Sequence, residues 1–233
     1  MSWSNEIKAR IRRRYSQLAG AGDRAGAHRM RQDGYPEAVR ERVPEALAAG
    51  YSGCGFPLAG VSLAGVRRAV DLGCGVGIDA WWTASELPPG STVVALDMTV
   101  DMLRAARAVP VTSAILPLAA DLERIPLAAD VADLVIANAS FNLAVDKQAA
   151  FSEALRILKP GARLAARDLV LGEPLPREVL EGPLADVTSL GGVLPEPELR
   201  RTIEGAGFTD VRISDHRPFS YVVSVQITAV KPA

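Results

Sequence analysis

The segment with the clearest chemical content is Val70-Asp71-Leu72-Gly73-Cys74-Gly75-Val76-Gly77, where a short apolar run meets three glycines. Glycines at a strand-to-helix junction let the backbone turn tightly and let a ligand approach without Cβ obstruction. Twenty residues beyond Gly77 stands Asp97, closing the run Val93-Val94-Ala95-Leu96. A carboxylate there can accept hydrogen bonds from both hydroxyls of a ribose. Loop and acid together predict a nucleoside-bearing cofactor at the carboxyl ends of parallel strands, near the point where strand order reverses. The spacing is G-x-G-x-G, not the dinucleotide pattern G-x-G-x-x-G, and Asp71 precedes the first glycine by two residues. That acid suits a cationic amino group better than a pyrophosphate. The bland alternative is a glycine-rich turn that binds nothing.

The other reactive candidates are two cysteines. Cys74, between two loop glycines, reads as a small packing residue. Cys54, in a Gly-Cys-Gly turn, is either a soft ligand or reactive thiol, or a structural residue. Its deprotonation would require a positive neighbour.

Composition narrows what these residues serve. The chain has 233 residues, with 26 Lys and Arg against 27 Asp and Glu, so no net field favours nucleic acid or a membrane surface. With 48% hydrophobic residues it can bury a real core, and with 5% aromatic residues it offers little for stacking single-stranded bases. Two cysteines make no disulfide framework, and two histidines leave little for a zinc site, so no metal is expected. The first residues lack the apolar run of a secretory signal, and no stretch is long enough to span a membrane. The expectation is a cytoplasmic protein acting on a small molecule, without nucleic acid or membrane partners and with its oligomeric state open.

The elements that must position the loop follow from apolar periodicity. Residues 1–50 carry ten Lys and Arg against six Asp and Glu. Ile7, Ile11, Tyr15 and Leu18 share one helical face, with Arg10, Arg12, Arg13 and Arg14 around the rest. A solvated face is preferred to a nucleic-acid arm. Glycine-rich residues 51–65 read as a loop. Strands are expected at 69–72, 92–96, 111–116, 134–137 and 163–166. Helices are expected at 78–87, 99–108 and 146–158, the last stopped by Lys159-Pro160-Gly161. This alternation predicts an α/β fold with a doubly wound, mostly parallel sheet. A helix at 196–206 and strands at 211–213 and 219–230, joined through 215–218, predict an antiparallel C-terminal hairpin.

The glycine motif resembles that of class I S-adenosylmethionine-dependent methyltransferases, whose cofactor has an α-amino acid end and no phosphate. Two further stretches agree: Ala120-Asp121-Leu122-Glu123-Arg124-Ile125-Pro126-Leu127, and Leu155 to Gly161. Tyr51-Ser52-Gly53-Cys54-Gly55-Phe56-Pro57, Leu96-Asp97-Met98-Thr99 with Met102-Leu103, and Ala137 to Leu143 with Asp146-Lys147 narrow the match. They resemble the arsenite methyltransferase family over about residues 15–208. The resemblance implies a seven-stranded Rossmann-like methyltransferase fold, with residues 1–50 as an N-terminal helical lid and 51–233 as the methyltransferase domain. It implies S-adenosylmethionine held by Asp71, Gly73, Gly75, Gly77 and Asp97. Asp121 would face the adenine amino group with Leu122 beside it, and Met98 would pack on adenine or ribose. Asn138 would line the cleft and Tyr15 would help close the lid.

One departure is chemical. The family holds trivalent arsenic with cysteine thiolates, sulfur being the ligand this soft centre prefers. This chain has Ala139 at one such position and Ser189 at another, leaving Cys54 alone. Three readings follow: methylation of an oxygen, nitrogen or carbon of a metabolite; methylation of a thiophilic metalloid using Cys54 and external thiols; or cofactor binding without catalysis. Methyl transfer needs a general base only when the acceptor loses a proton. The candidates are Asp168, Asn142, Asp186, His28 and His216, with Asp168 ranked above the histidines. Cys54, Asp168 and Asn142 are the expected catalytic set.

Overall fold

The computed structural model describes residues 3–21, 25–106, 113–173 and 192–233. Its centre is four parallel strands whose residues are buried on both faces: β1 (Arg68–Leu72), β2 (Thr92–Asp97), β4 (Ala132–Asn138) and the middle of β5 (Leu158–Leu171). β3 (Ala114–Ala119) lies outside β2. Beyond β5 come β8 (Val222–Val230) and β7 (Thr209–Phe219), both antiparallel. The order is β3-β2-β1-β4-β5-β8-β7, with the two-residue strand β6 (Leu194–Pro195) pairing with β5. β1 is therefore the strand from which the chain winds outward in both directions, and a crevice opens beyond its carboxyl end.

The period-two alternation of the strands sorts their side chains into two cores. Val70, Leu72, Val94, Leu96, Val135 and Ala137 face α7 (Lys147–Ile157) and α8 (Glu196–Gly205). Ala69, Val93, Ala95, Leu134 and Ile136 face α5 (Ile78–Glu86) and α6 (Val100–Ala106). The second core also takes Met30, Val39 and Leu47 from three short helices, α2 (Gly26–Gln32), α3 (Glu37–Arg42) and α4 (Glu45–Ala48). Preceding them, α1 (Trp3–Ala21) buries Ile7 and Ile11 against Met98 and Val145, above the crevice.

Several boundaries differ from the sequence expectation. The third strand occupies 114–119 and includes Pro117; as the sheet edge it has no outer neighbour to need that missing N–H. The helix expected at 146–158 spans Lys147–Ile157 and ends before Lys159-Pro160-Gly161, but β5 begins directly at Leu158, earlier than the expected 163, and Gly161 N–H donates to Lys231 O. Residues 215–218, expected to join two strands, lie inside β7, where a register shift and the positive φ of Asp215 (48°) mark a bulge on the other edge strand. His28 lies in the short helix α2. Asp186 and Ser189 lie outside the described residues, as does the start of the expected third strand at 111–112.

Candidate active site

Asp71 lies at the centre of the sheet, paired in register with Ala95 of β2 and Ile136 of β4. It is 1% exposed, and its Oδ2 finds no hydrogen-bond partner among the described residues. Burial, and then the nearby carboxyls of Asp79 and Asp97, push its pKa well above the usual carboxylate range. Asp79, from the first turn of α5, accepts from the Tyr35 hydroxyl at 2.8 Å and from Asn138 Nδ2 at 2.8 Å. Burial raises it to about 6 against those two bonds. Asp71, Asp79, Gly73, Cys74 and Gly75 line one narrow pocket beneath residues 50–53. A partnerless acid beside a second acid is a place made for a cation.

The adjoining cleft is lined by Gly73, Gly75, Asp97, Met98, Leu122 and Asn138, among others, and is roofed by Ile11 and Tyr15 of α1. Asp97 Oδ2 accepts Gly75 N–H at 2.9 Å and its Oδ1 accepts Thr99 N–H at 2.7 Å, which fixes the carboxylate across the mouth of the loop. Gly75 has φ 53°, and a Cβ there would meet nothing nearer than Ser52 Oγ at 3.9 Å, so the loop presents open backbone. Met98, Leu122 and Ala120 give the far end apolar walls, while Ser140 Oγ is buried there without a partner. Among the described residues no Lys or Arg lines either space. The donor set thus fits a nucleoside with an ammonium end and rejects a pyrophosphate, which three acids would repel. With α1 seated, the cleft retains about 60 Å³.

Other expected residues occupy different roles. Gly77 turns away from the cleft: its φ is 87°, and a Cβ would come within 2.8 Å of Ala106 Cβ, so it allows α5 and α6 to approach. Asp121 receives Lys8 Nζ at 2.7 Å, and Lys8 also reaches Glu123, so the carboxylate expected to face adenine is held by α1. Asn138 does line the cleft, but its amide is engaged. It donates to Gly55 O at 2.8 Å and accepts Cys54 N–H at 2.9 Å, tying residues 53–55 to the sheet.

Of the expected catalytic set, Cys54, Asp168 and Asn142, none lines the two spaces just described. Asp168 is buried at the end of β5, and its Oδ2 accepts Phe141 N–H at 3.0 Å and Asn142 N–H at 3.3 Å. It pins the 3-10 turn Phe141–Leu143, and burial lifts its pKa to about 6. Asn142 O accepts from Lys147 Nζ at 3.0 Å. Cys54 is 1% exposed among Ala139, Leu169, Val193 and Val222. Its carbonyl accepts the Ser224 hydroxyl at 2.6 Å. Burial, then the charge of Asp168, push its thiol pKa up, so the sulfur is a neutral packing group in this arrangement. Cys74 is likewise pushed up by burial and by Asp71. His28 is exposed on α2, and His216 lies on β7 within 2.6 Å of Glu196 Oε2. Among the described residues no group of three or more His, Cys, Asp or Glu is placed to hold a metal.

Sequence reasoning missed Asp79, Ser140, Tyr35 and Lys8. Asp79 alone had a local signal, an acid two residues after the last loop glycine, which also suits a helix first turn.

Comparison with known proteins agrees with this geometry. Residues 70–166 match the methyltransferase-domain family, from the middle of β1 into β5. An arsenite methyltransferase of Halobacterium salinarum is 31% identical over 198 residues, 78% of this chain and 51% of that protein. One from Aquipseudomonas alcaligenes is 29% identical over 192 residues, 77% of this chain and 54% of that protein. The chain therefore spans about half the length of these relatives. The crystal structure of an arsenic(III) S-adenosylmethionine methyltransferase from Chlamydomonas reinhardtii superimposes with a TM-score of 0.63 at 25% identity, covering 91% of this chain and 75% of that one.

Proposed function

Because the chain belongs to the class I S-adenosylmethionine-dependent methyltransferases, close to the arsenite methyltransferase family, we propose that it transfers the methyl group of S-adenosylmethionine to a small molecule other than trivalent arsenic. The observation that carries the donor assignment is the Asp71 carboxyl behind the glycine loop, whose Oδ2 finds no partner among the described residues while the Ala80 backbone N–H bonds the group from the α5 side. When bound, the donor supplies an electrophilic methyl on a sulfonium sulfur. Asp71 and Asp79 receive its ammonium end, Asp97 its ribose hydroxyls, and Met98 and Leu122 its base. Tyr15 and Ile11 shut the cleft as part of an N-terminal lid over residues 1–50. Lys8 and the Ser16–Asp101 hydrogen bond, at 2.8 Å, hold that lid down. A nucleoside needs several hundred Å³, so α1 must lift or slide for entry from the 60 Å³ arrangement.

The acceptor's lone pair forms the new bond to carbon as the S–CH3 bond breaks and its electron pair returns to sulfur. An O–H or N–H acceptor passes its proton to water. Alignment for this in-line displacement supplies on the order of 7–11 kcal/mol, so a dedicated base is dispensable for many acceptors.

The similarity to arsenite methyltransferases favours a second reading, in which Cys54 and external thiols hold arsenic. Against it stand a sealed, neutral Cys54 and an alanine at position 139. No described helix is long and apolar enough to cross a membrane, and we place the protein in the cytoplasm. A turnover assay with labelled donor, run over arsenite plus glutathione and a panel of small metabolites, decides between the readings. Label transferred to a metabolite and not to arsenite supports the first. Arsenite methylation lost in Cys54→Ser replaces it with the second. Donor binding without any transfer leaves only a cofactor-binding protein.

A further inference from the structure

A larger cavity, about 700 Å³, lies on the other side of residues 50–53, between α1, α2 and the turn that joins β7 to β8. It shares Tyr15 and Ser52 with the donor cleft, and Gly50 to Gly53 with the pocket of Asp71. Cavity and donor cleft therefore meet at Tyr15 and Ser52, where an acceptor seated in the one can face the donor in the other. Its chemistry is the reverse of the donor side. Among the described residues, two guanidinium groups line it, Arg14 of α1 and Arg29 of α2, against one carboxylate, Asp33. No carboxylate among the described residues pairs with Arg14. Arg29 donates to Tyr51 O at 3.2 Å, which aims its head along the wall of the cavity. Asp33 is half-buried, and its pKa is raised by that burial against the pull of Tyr51 and Arg29. The remaining wall is aromatic and apolar, from Tyr15, Tyr51, Phe219 and Leu18.

We propose that this cavity is the methyl-acceptor site, and that it takes a small molecule with a flat apolar body and one oxyanion, a carboxylate or a phosphate, held by Arg14 and Arg29. This rests on the donor assignment above. Guanidinium forks match both oxyanions in two-point hydrogen bonds, and the aromatic rings supply contact area at little conformational cost. Opposite charge on the two sides also sorts the ligands: the acidic pocket repels the anionic end of the acceptor, and the basic cavity repels the cationic donor. Asp33 tempers the field, so the site is selective for one negative group and not for a polyanion.

The test is calorimetric titration of the full chain saturated with S-adenosylhomocysteine, using phenylacetate, phenyl phosphate and neutral phenylacetamide as probes. At least one anion is expected to bind about tenfold or more tighter than the amide, and their ranking tells carboxylate from phosphate recognition. Arg14→Gln is expected to weaken that anion about tenfold, and Arg29→Gln similarly, while Asp33→Asn tightens it by about threefold. Arg13→Gln, exposed on the same helix, is the control for general electrostatics and is expected to change nothing. Equal binding of anion and amide, no binding of any probe, or an Arg13→Gln effect as large as that of Arg14→Gln would each overturn the proposal. Homocysteine-nucleoside affinity, read in the same samples, separates the two readings. If it is intact, such results sink only the acceptor class; if it is absent, the donor assignment falls first.

Discussion

The ends of β1 and β2 and the ends of β4 and β5 offer the same raw material, buried carboxyls and amides beside glycine- or alanine-rich turns, and use it differently. At β1 and β2, Asp71 is left with an oxygen that nothing among the described residues satisfies, next to Asp79 and above open glycine backbone. At β4 and β5, Asp168 accepts three backbone N–H groups, and the Asn138 amide is bonded on both its oxygen and its nitrogen. Saturated polar groups build the scaffold. On the proposed reading, the unsaturated group, kept buried at an energetic penalty, is where the donor's ammonium binds.

Substitution of the two aspartates separates these roles, and the largest effect is expected at Asp71. Asp71→Asn removes the partner of the ammonium and should weaken S-adenosylmethionine binding by about 10²–10³-fold. The unliganded protein should melt no lower than the wild type, because a strained buried acid is gone. Calorimetry and a melting curve on one preparation read both. Asp168→Ala should give the opposite pattern: about 1–3 kcal/mol of stability lost in urea unfolding as the N–H groups of Phe141 and Asn142 lose their acceptor. Donor affinity should change far less than in Asp71→Asn. If Asp168→Ala abolished turnover in a fully folded, donor-binding protein, the division would be wrong.

The pH dependence sharpens the same contrast. Raised carboxyl pKa values mean that the free protein holds protons which ammonium binding must displace. Donor affinity should therefore rise with pH, up to about tenfold per unit for each proton released, through the range near 6 where Asp79 titrates. In the unliganded fold these same groups contribute stability that is present below their ordinary values near 3.8 and is lost as pH rises through the raised ones. The gain in melting temperature from S-adenosylhomocysteine should accordingly be larger at pH 7.5 than at pH 5. The smallest effect is expected at Cys54. Cys54→Ala should alter turnover of a metabolite acceptor less than twofold and stability by about 1 kcal/mol, as kinetics and unfolding would show.

What the sequence revealed follows the same line. That the glycine loop, Asp71 and Asp97 come together at adjoining spaces was legible because strand, turn and acid lie within thirty residues, and their geometry is set locally. The alternation of strands and helices was legible from apolar period. Residues whose role depends on a distant partner were not. Lys8 reaches Asp121 across 113 positions, and Ser224 meets the Cys54 carbonyl across 170. Asp168 had the right type and the right strand end, but only the fold brings the 141–142 turn over it. Two misplaced boundaries adjoin prolines: Pro117 lies just past the expected 111–116 strand and Pro218 ends the expected 215–218 joint, yet both sit on edge strands, where the missing N–H is tolerated.

The most direct test is a crystal structure of the chain with S-adenosylhomocysteine. The ammonium nitrogen is expected within hydrogen-bond distance of Asp71, the ribose hydroxyls on Asp97, and α1 displaced or reseated around the nucleoside. A ligand bound elsewhere, or a cleft still filled by Ile11 and Tyr15 with Asp71 Oδ2 partnerless at saturating ligand, would contradict the account.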